Sequence, residues 1–76
     1  MKDVLELVIK NLVENQDEVS INEKNDGKTI CYEVKVAGND MGKVIGKQGK
    51  MAKSVRTIMK AIAGKEHKKV TIEFLG

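Results

Sequence analysis

Val44-Ile45-Gly46-Lys47-Gln48-Gly49 decides how this chain is read. Gly42, Gly46 and Gly49 fall within eight residues, between two segments whose apolar residues recur at helical spacing. Glycine inside a helix costs about 1 kcal/mol relative to alanine, so a purely structural helix pair would tend to avoid this cluster. Glycine also permits unusual backbone angles and the close approach of another chain. Gly46 and Gly49 therefore predict a tight turn that opens onto the N-terminus of the next helix. Backbone N–H groups at such a turn, with the positive helix end, favour a phosphate. Lys43, Lys47, Lys50, Lys53 and Arg56 surround the same point, and Glu66 is the one acid between Lys43 and Lys69. A bare G-x-x-G is common and fits any helix–turn–helix connection; the flanking lysines and the Val44-Ile45 pair are what set this one apart.

Other glycine motifs fail on spacing. A phosphate-binding P-loop counted from Gly42 needs its second glycine where Lys47 stands, and a dinucleotide fingerprint needs a glycine two residues before Gly46. Gly42 and Gly46 lie in no membrane-length apolar segment, so they are not a membrane dimerisation signal.

Outward from the loop, the pattern is regular. Upstream, Gly38 breaks a strand, and Asn39 or Asp40 is placed to cap a short helix running to about Ile45. Downstream, a helix is predicted from about Lys50 to Ala63, with Met51, Val55, Ile58, Met59 and Ile62 on one face and Gly64 as its C-cap. Residues 3–14 carry Val4, Leu5, Val8, Ile9, Leu12 and Val13 at helical spacing, with Glu6 and Lys10 paired on the other face. Val19 and Ile21 alternate with polar residues, Asn25-Asp26-Gly27-Lys28 is a turn signal, and Ile30, Tyr32, Val34 and Val36 alternate in a second strand. Val70, Ile72 and Phe74 form a last strand. The order α-β-β-α-α-β predicts an α+β fold, a three-stranded sheet with its helices packed on one face.

Size and charge narrow the function. Seventy-six residues without a linker-like composition shift read as one domain over 1–76, with a small core and little room for a catalytic pocket. No apolar run reaches membrane length, no signal-peptide pattern opens the chain, and Cys31 is the single cysteine. These features predict a cytoplasmic protein. Residues 1–40 hold five lysines and nine acids, whereas residues 41–76 hold eight lysines, one arginine and two acids. Such asymmetry points to one face built to meet an anion, set against a merely solvated lysine-rich surface.

The run from Gly42 to Lys50, with the later Arg56-Thr57, resembles the KH domain, and the element order resembles its type II, bacterial form. The likeness covers the whole chain and is nearest to the KhpA family of small single-KH RNA-binding proteins. The resemblance implies a mixed sheet and a loop that clamps the backbone of about four unpaired nucleotides. Carried over, Gly46 and Gly49 let the sugar-phosphate backbone approach. Lys47 is a phosphate contact and Gln48 a weaker polar one. Of Val44 and Ile45, one lines an apolar groove for bases and the other anchors the helix, in an order left open. Lys43 and Lys50 are further phosphate contacts, with Lys53 and Arg56 extending the basic surface. The family also implies RNA-chaperone-like or post-transcriptional work, a homodimer, and pairing with a larger KH-containing partner of the KhpB (Jag-like) type.

Tyr32 and Phe74 are the only aromatics, too few for a base-stacking platform but compatible with an aliphatic KH groove. His67 has no companion ligands and Cys31 no evident basic partner, so no metal, cofactor or reactive thiol is expected. Met51 and Met59 are expected in the core, although the last helix's apolar arc is wider than one small sheet needs. Lys65, Lys68 and Lys69 read as solvated. The alternative to RNA binding is a protein-interaction adapter that keeps the fold; no acid–base pair or nucleophile set suggests an enzyme.

Overall fold

Alternating burial builds the sheet. In this computed structural model, which describes residues 1–75, strand β2 (Thr29–Lys35) buries Ile30, Tyr32 and Val34 on one side and leaves Thr29, Cys31 and Glu33 half-covered on the other. It is the central strand. On one side β1 (Ser20–Asn25) pairs antiparallel, from Ser20 opposite Lys35 to Asn25 opposite Ile30. On the other, β3 (Lys69–Leu75) pairs parallel, from Thr29 opposite Lys69 to Lys35 opposite Leu75. The hairpin between β1 and β2 turns as its sequence predicts. Gly27 takes φ 99°, its N–H donates to Asn25 Oδ1 at 2.8 Å, and the Thr29 N–H donates to Asp26 Oδ1 at 2.9 Å.

Three helices cover the apolar face of the sheet: α1 (Lys2–Leu12), α2 (Met41–Ile45) and α3 (Lys50–Lys65). Leu5 and Ile9 of α1, Val44 of α2, and Val55 and Met59 of α3 are all buried in one core with Ile30, Tyr32 and Val34 of β2 and Val70 and Ile72 of β3. Each large side chain removed from water in this way stabilises by about 1.5–3 kcal/mol. The order α-β-β-α-α-β and the mixed three-stranded sheet are those expected.

The structure corrects several details. The face of α3 that meets the sheet runs Ala52, Val55, Met59, Ala63, whereas Met51 and Ile58 are 36% and 45% exposed. Two alanines thus take buried positions, and the larger neighbours at 51 and 58 are turned outward. Gly64 does not end α3. The helix continues to Lys65, and His67 takes the left-handed position at φ 57°. The N–H groups of His67 and Lys68 donate back to the Gly64 and Ala63 carbonyls, at 3.1 and 2.9 Å, which closes the helix as a Schellman turn. Neither Asn39 nor Asp40 caps α2 with its side chain. Asp40 is turned instead toward residues 14–15. Finally α1 stops at Leu12, with Val13 extended (φ −106°, ψ 157°) and buried, and a single 3₁₀ turn follows at Gln16–Glu18.

Candidate functional site

The glycine segment is a hairpin bend between α2 and α3. Helix α2 ends with the Gly46 N–H donating to the Gly42 carbonyl at 2.9 Å. Gly46 then takes φ 76° and ψ 178°, a conformation essentially restricted to glycine. A Cβ there would lie 2.7 Å from Met51 Cβ and 2.8 Å from Met51 N, so the bend closes against the first turn of α3 only without a side chain. Lys47–Gly49 form one 3₁₀ turn in which Gln48 (φ 56°) and Gly49 (φ 75°) are both left-handed. A Cβ at Gly49 would meet nothing within 4 Å, so its requirement is conformational alone. Gly42 has neither a positive φ nor a crowded Cβ position, and nothing in the backbone demands glycine there.

This turn presents Lys47 and Gln48 to solvent at its tip, with Lys50 and Lys53 exposed on the following helix. The backbone donors are less available than the sequence suggests. The Gly49 N–H donates to the Gly46 carbonyl at 3.3 Å and the Lys50 N–H to the Lys47 carbonyl, so both amides hold the turn together. The side chains at 47 and 48 are therefore the groups the bend most clearly projects.

Burial distinguishes Val44 from Ile45. Val44 is 0% exposed and belongs to the core, whereas Ile45 is half-buried at the edge of the bend. A buried Val44 presents no surface to a ligand; its role is to plug α2 into the core. Lys43 is not free either. Its Nζ lies 2.8 Å from Glu14 and 3.7 Å from Asp40, and the Glu14 carboxylate raises its pKa above the usual lysine value. Arg56 reaches the sheet: its Nε donates to the Ile72 carbonyl at 3.2 Å, and its guanidinium stands 5.4 Å from the Phe74 ring centroid. Tyr32 is buried beneath the helices and offers no stacking face.

Beside Arg56 a depression of about 140 Å³ runs along β3, lined by Arg56, Lys60, Val70, Thr71 and Ile72. It continues past Lys60 to Lys68 and Lys69. Lys60 was not singled out in the sequence, yet the signal was there. Residues 53, 56 and 60 follow i, i+3, i+7 spacing and so share one flank of α3. Another hollow, of about 480 Å³, is lined by Glu14–Glu18 and holds three acids, which suits no anion. Among the described residues no cluster of three metal-ligating side chains occurs, and no helix is long and apolar enough to cross a membrane.

The family model of the KhpA/KhpB KH domain matches residues 2–74. The chain belongs to this family. It is a type II KH domain of the KhpA kind, and Gly46–Gly49 is its G-x-x-G loop. The chain is similar to the RNA-binding protein KhpA of Clostridium acetobutylicum, at 51% identity over 99% of this chain and all of that protein. It is also similar to the KhpA proteins of Clostridium perfringens, at 48% over 99% and 100%, and of Aquifex aeolicus, at 45% over 99% and 95%. No solved structure gives a significant match. These relatives are named for RNA binding and not for a catalysed reaction.

Proposed function

We propose that this KH domain binds RNA, gripping the backbone of a short single-stranded segment at the G-x-x-G loop. The observation that carries the reading is the exposed Lys47-Gln48 tip, held between two glycines at positive φ and flanked by exposed Lys50 and Lys53. The relatives named RNA-binding protein KhpA, alike over nearly the full chain, support it. In this reading Lys47 meets a phosphate, Gln48 adds a polar contact, and Lys50 and Lys53 follow the strand along α3. Ile45 is the apolar contact at the groove's rim. Arg56 and Lys60 flank the depression beside β3 in which bases are received. With no stacking platform, binding is weak, salt-sensitive and weakly sequence-selective. Work as an RNA chaperone or post-transcriptional regulator fits such binding.

A protein partner is part of the proposal. Ile58 and Met51 form an exposed apolar flank on α3. A second copy of the chain, or a larger KH-containing protein of the KhpB (Jag-like) type, is the partner proposed for that flank.

The test is a titration of fluorescent single-stranded RNA at several salt concentrations, with the wild type and a Lys47→Asp/Gln48→Asp variant. Asp is tolerated at position 48 because short polar side chains accept left-handed backbone. Two to four phosphate contacts give a log–log salt slope between about −1.4 and −2.8, and the folded variant loses most of its affinity. Equal binding by the folded variant would move the RNA site away from the loop and favour the adapter reading.

A further inference from the structure

Asp40 is the one buried charged or polar residue among those described, at 0% exposure, and nothing in the RNA-binding reading uses it. Its carboxylate is fully engaged. Oδ2 accepts from the Asn15 backbone N–H and from Asn15 Nδ2, both at 2.9 Å, and Oδ1 accepts from the Glu14 N–H at 3.3 Å. Asn15 Nδ2 also reaches Asn39 Oδ1 at 3.1 Å, and Lys43 bridges Glu14 and Asp40. The backbone amide of Asn15 is the main reason the Asp40 carboxyl titrates below the usual range. The hydrogen bonds of this cluster all join the segment after α1 to the residues at the start of α2, 24–26 positions apart in the chain.

Helix α2 needs such an anchor. It has five residues, far below the length at which a helix holds itself, and buries one of them. Val44 is its one fully buried side chain, and Met41 and Ile45 pack only partly against the core, so a bond at its start adds a second fixed point. Its C-terminal end is Gly46, so any pivot of α2 moves the loop.

We infer that Asp40 is a positioning residue for the RNA loop: by mooring the start of α2 to Glu14 and Asn15, it sets where Lys47 and Gln48 stand. This rests on the RNA-binding reading of the loop. It makes a prediction opposite in sign to simple electrostatics. A carboxylate near a phosphate-binding site repels RNA, so its removal should strengthen binding if charge is all that matters. If Asp40 positions the loop, removal weakens binding.

The experiment measures RNA affinity and its salt slope for wild type, Asp40→Asn and Asn15→Ala. Asn15→Ala is uncharged before and after, keeps the backbone amide, and serves where Asp40→Asn fails to fold. Ile30→Val, a core change near the start of β2, controls for lost stability. All are assayed well below their melting temperatures. The expected result is roughly 2- to 30-fold weaker binding for both latch variants, with an unchanged salt slope and normal binding by Ile30→Val. Binding as tight as wild type or tighter overturns the inference. So does a slope reduced by about 0.7, the mark of one lost phosphate contact, which would trace the effect to Lys43 instead. Equal weakening in Ile30→Val overturns it as well, by reducing the effect to stability. If the wild type itself binds no RNA, or the Lys47→Asp/Gln48→Asp variant binds as well as wild type, it is the loop reading that falls.

Discussion

At Gly46 a methyl group would press on Met51 from a distance of 2.7 Å, while at Gly49 it would stand in open space. The first position thus carries both a steric and a conformational demand, the second only a left-handed φ. Gly46→Ala is expected to destabilise by roughly 2–4 kcal/mol, the sum of backbone strain and overpacking. Gly49→Ala should cost only about 1–2 kcal/mol. Urea unfolding of the two variants checks this, and equal losses would contradict the geometry. The motif itself was legible, because glycine at fixed spacing is visible in any sequence. The difference between its glycines was not, since what a Cβ meets depends on how α3 returns against the bend. Asp40 shows the same limit. An Asp before a helix reads as a cap by local rules, and only the arrival of the Asn15 and Glu14 amides from elsewhere gives it another use.

Among the elements, α3 teaches most. Its existence and start were plain from periodicity, but its rotation was not: Ala52 and Ala63 are buried while the larger Met51 and Ile58 are exposed. Its end also departs from the local signal. Gly64 is the obvious stop, yet the Lys68 N–H can close the Schellman turn only when the left-handed residue is His67. That geometry puts a β-carbon where glycine is preferred. His67→Gly should therefore stabilise the fold by about 0.5–1 kcal/mol, the relief of left-handed strain less the added freedom of the unfolded chain. A higher urea midpoint with unchanged slope is the expected signature, and a lower midpoint would show that the imidazole makes contacts worth more than the strain. The basic flank of α3 is half legible: the sequence marks Lys53 and Arg56 as candidate ligand contacts, but not that Arg56 Nε donates to the Ile72 carbonyl of β3.

For the whole molecule, the element order was readable from the sequence because each stripe has one natural face to bury. What else the outer surface meets was not, since a single chain carries no direct record of its partner. The outward Ile58 bears on it directly. Ile58→Glu should leave the melting temperature nearly unchanged, because the side chain is 45% exposed. The same change should convert a sedimenting dimer to a monomer if the α3 flank is the contact between copies. A wild type that sediments as a monomer at all concentrations would leave only a different protein as the partner.

The two ladders of the sheet also differ in how far apart their partners lie along the chain. Asn25 and Ile30 close a local hairpin, of the kind that forms in about 1–10 μs, whereas Thr29 and Lys69 pair across forty residues. Closing the second ladder carries the entropy of a long excursion, and such non-local contacts set the pace of folding. The G-x-x-G bend lies inside that excursion. The hydrogen bonds that shape the bend are local to residues 42–50, but its placement beside β3 depends on that distant pairing, so a weakened β2–β3 ladder would leave the bend formed and misplaced.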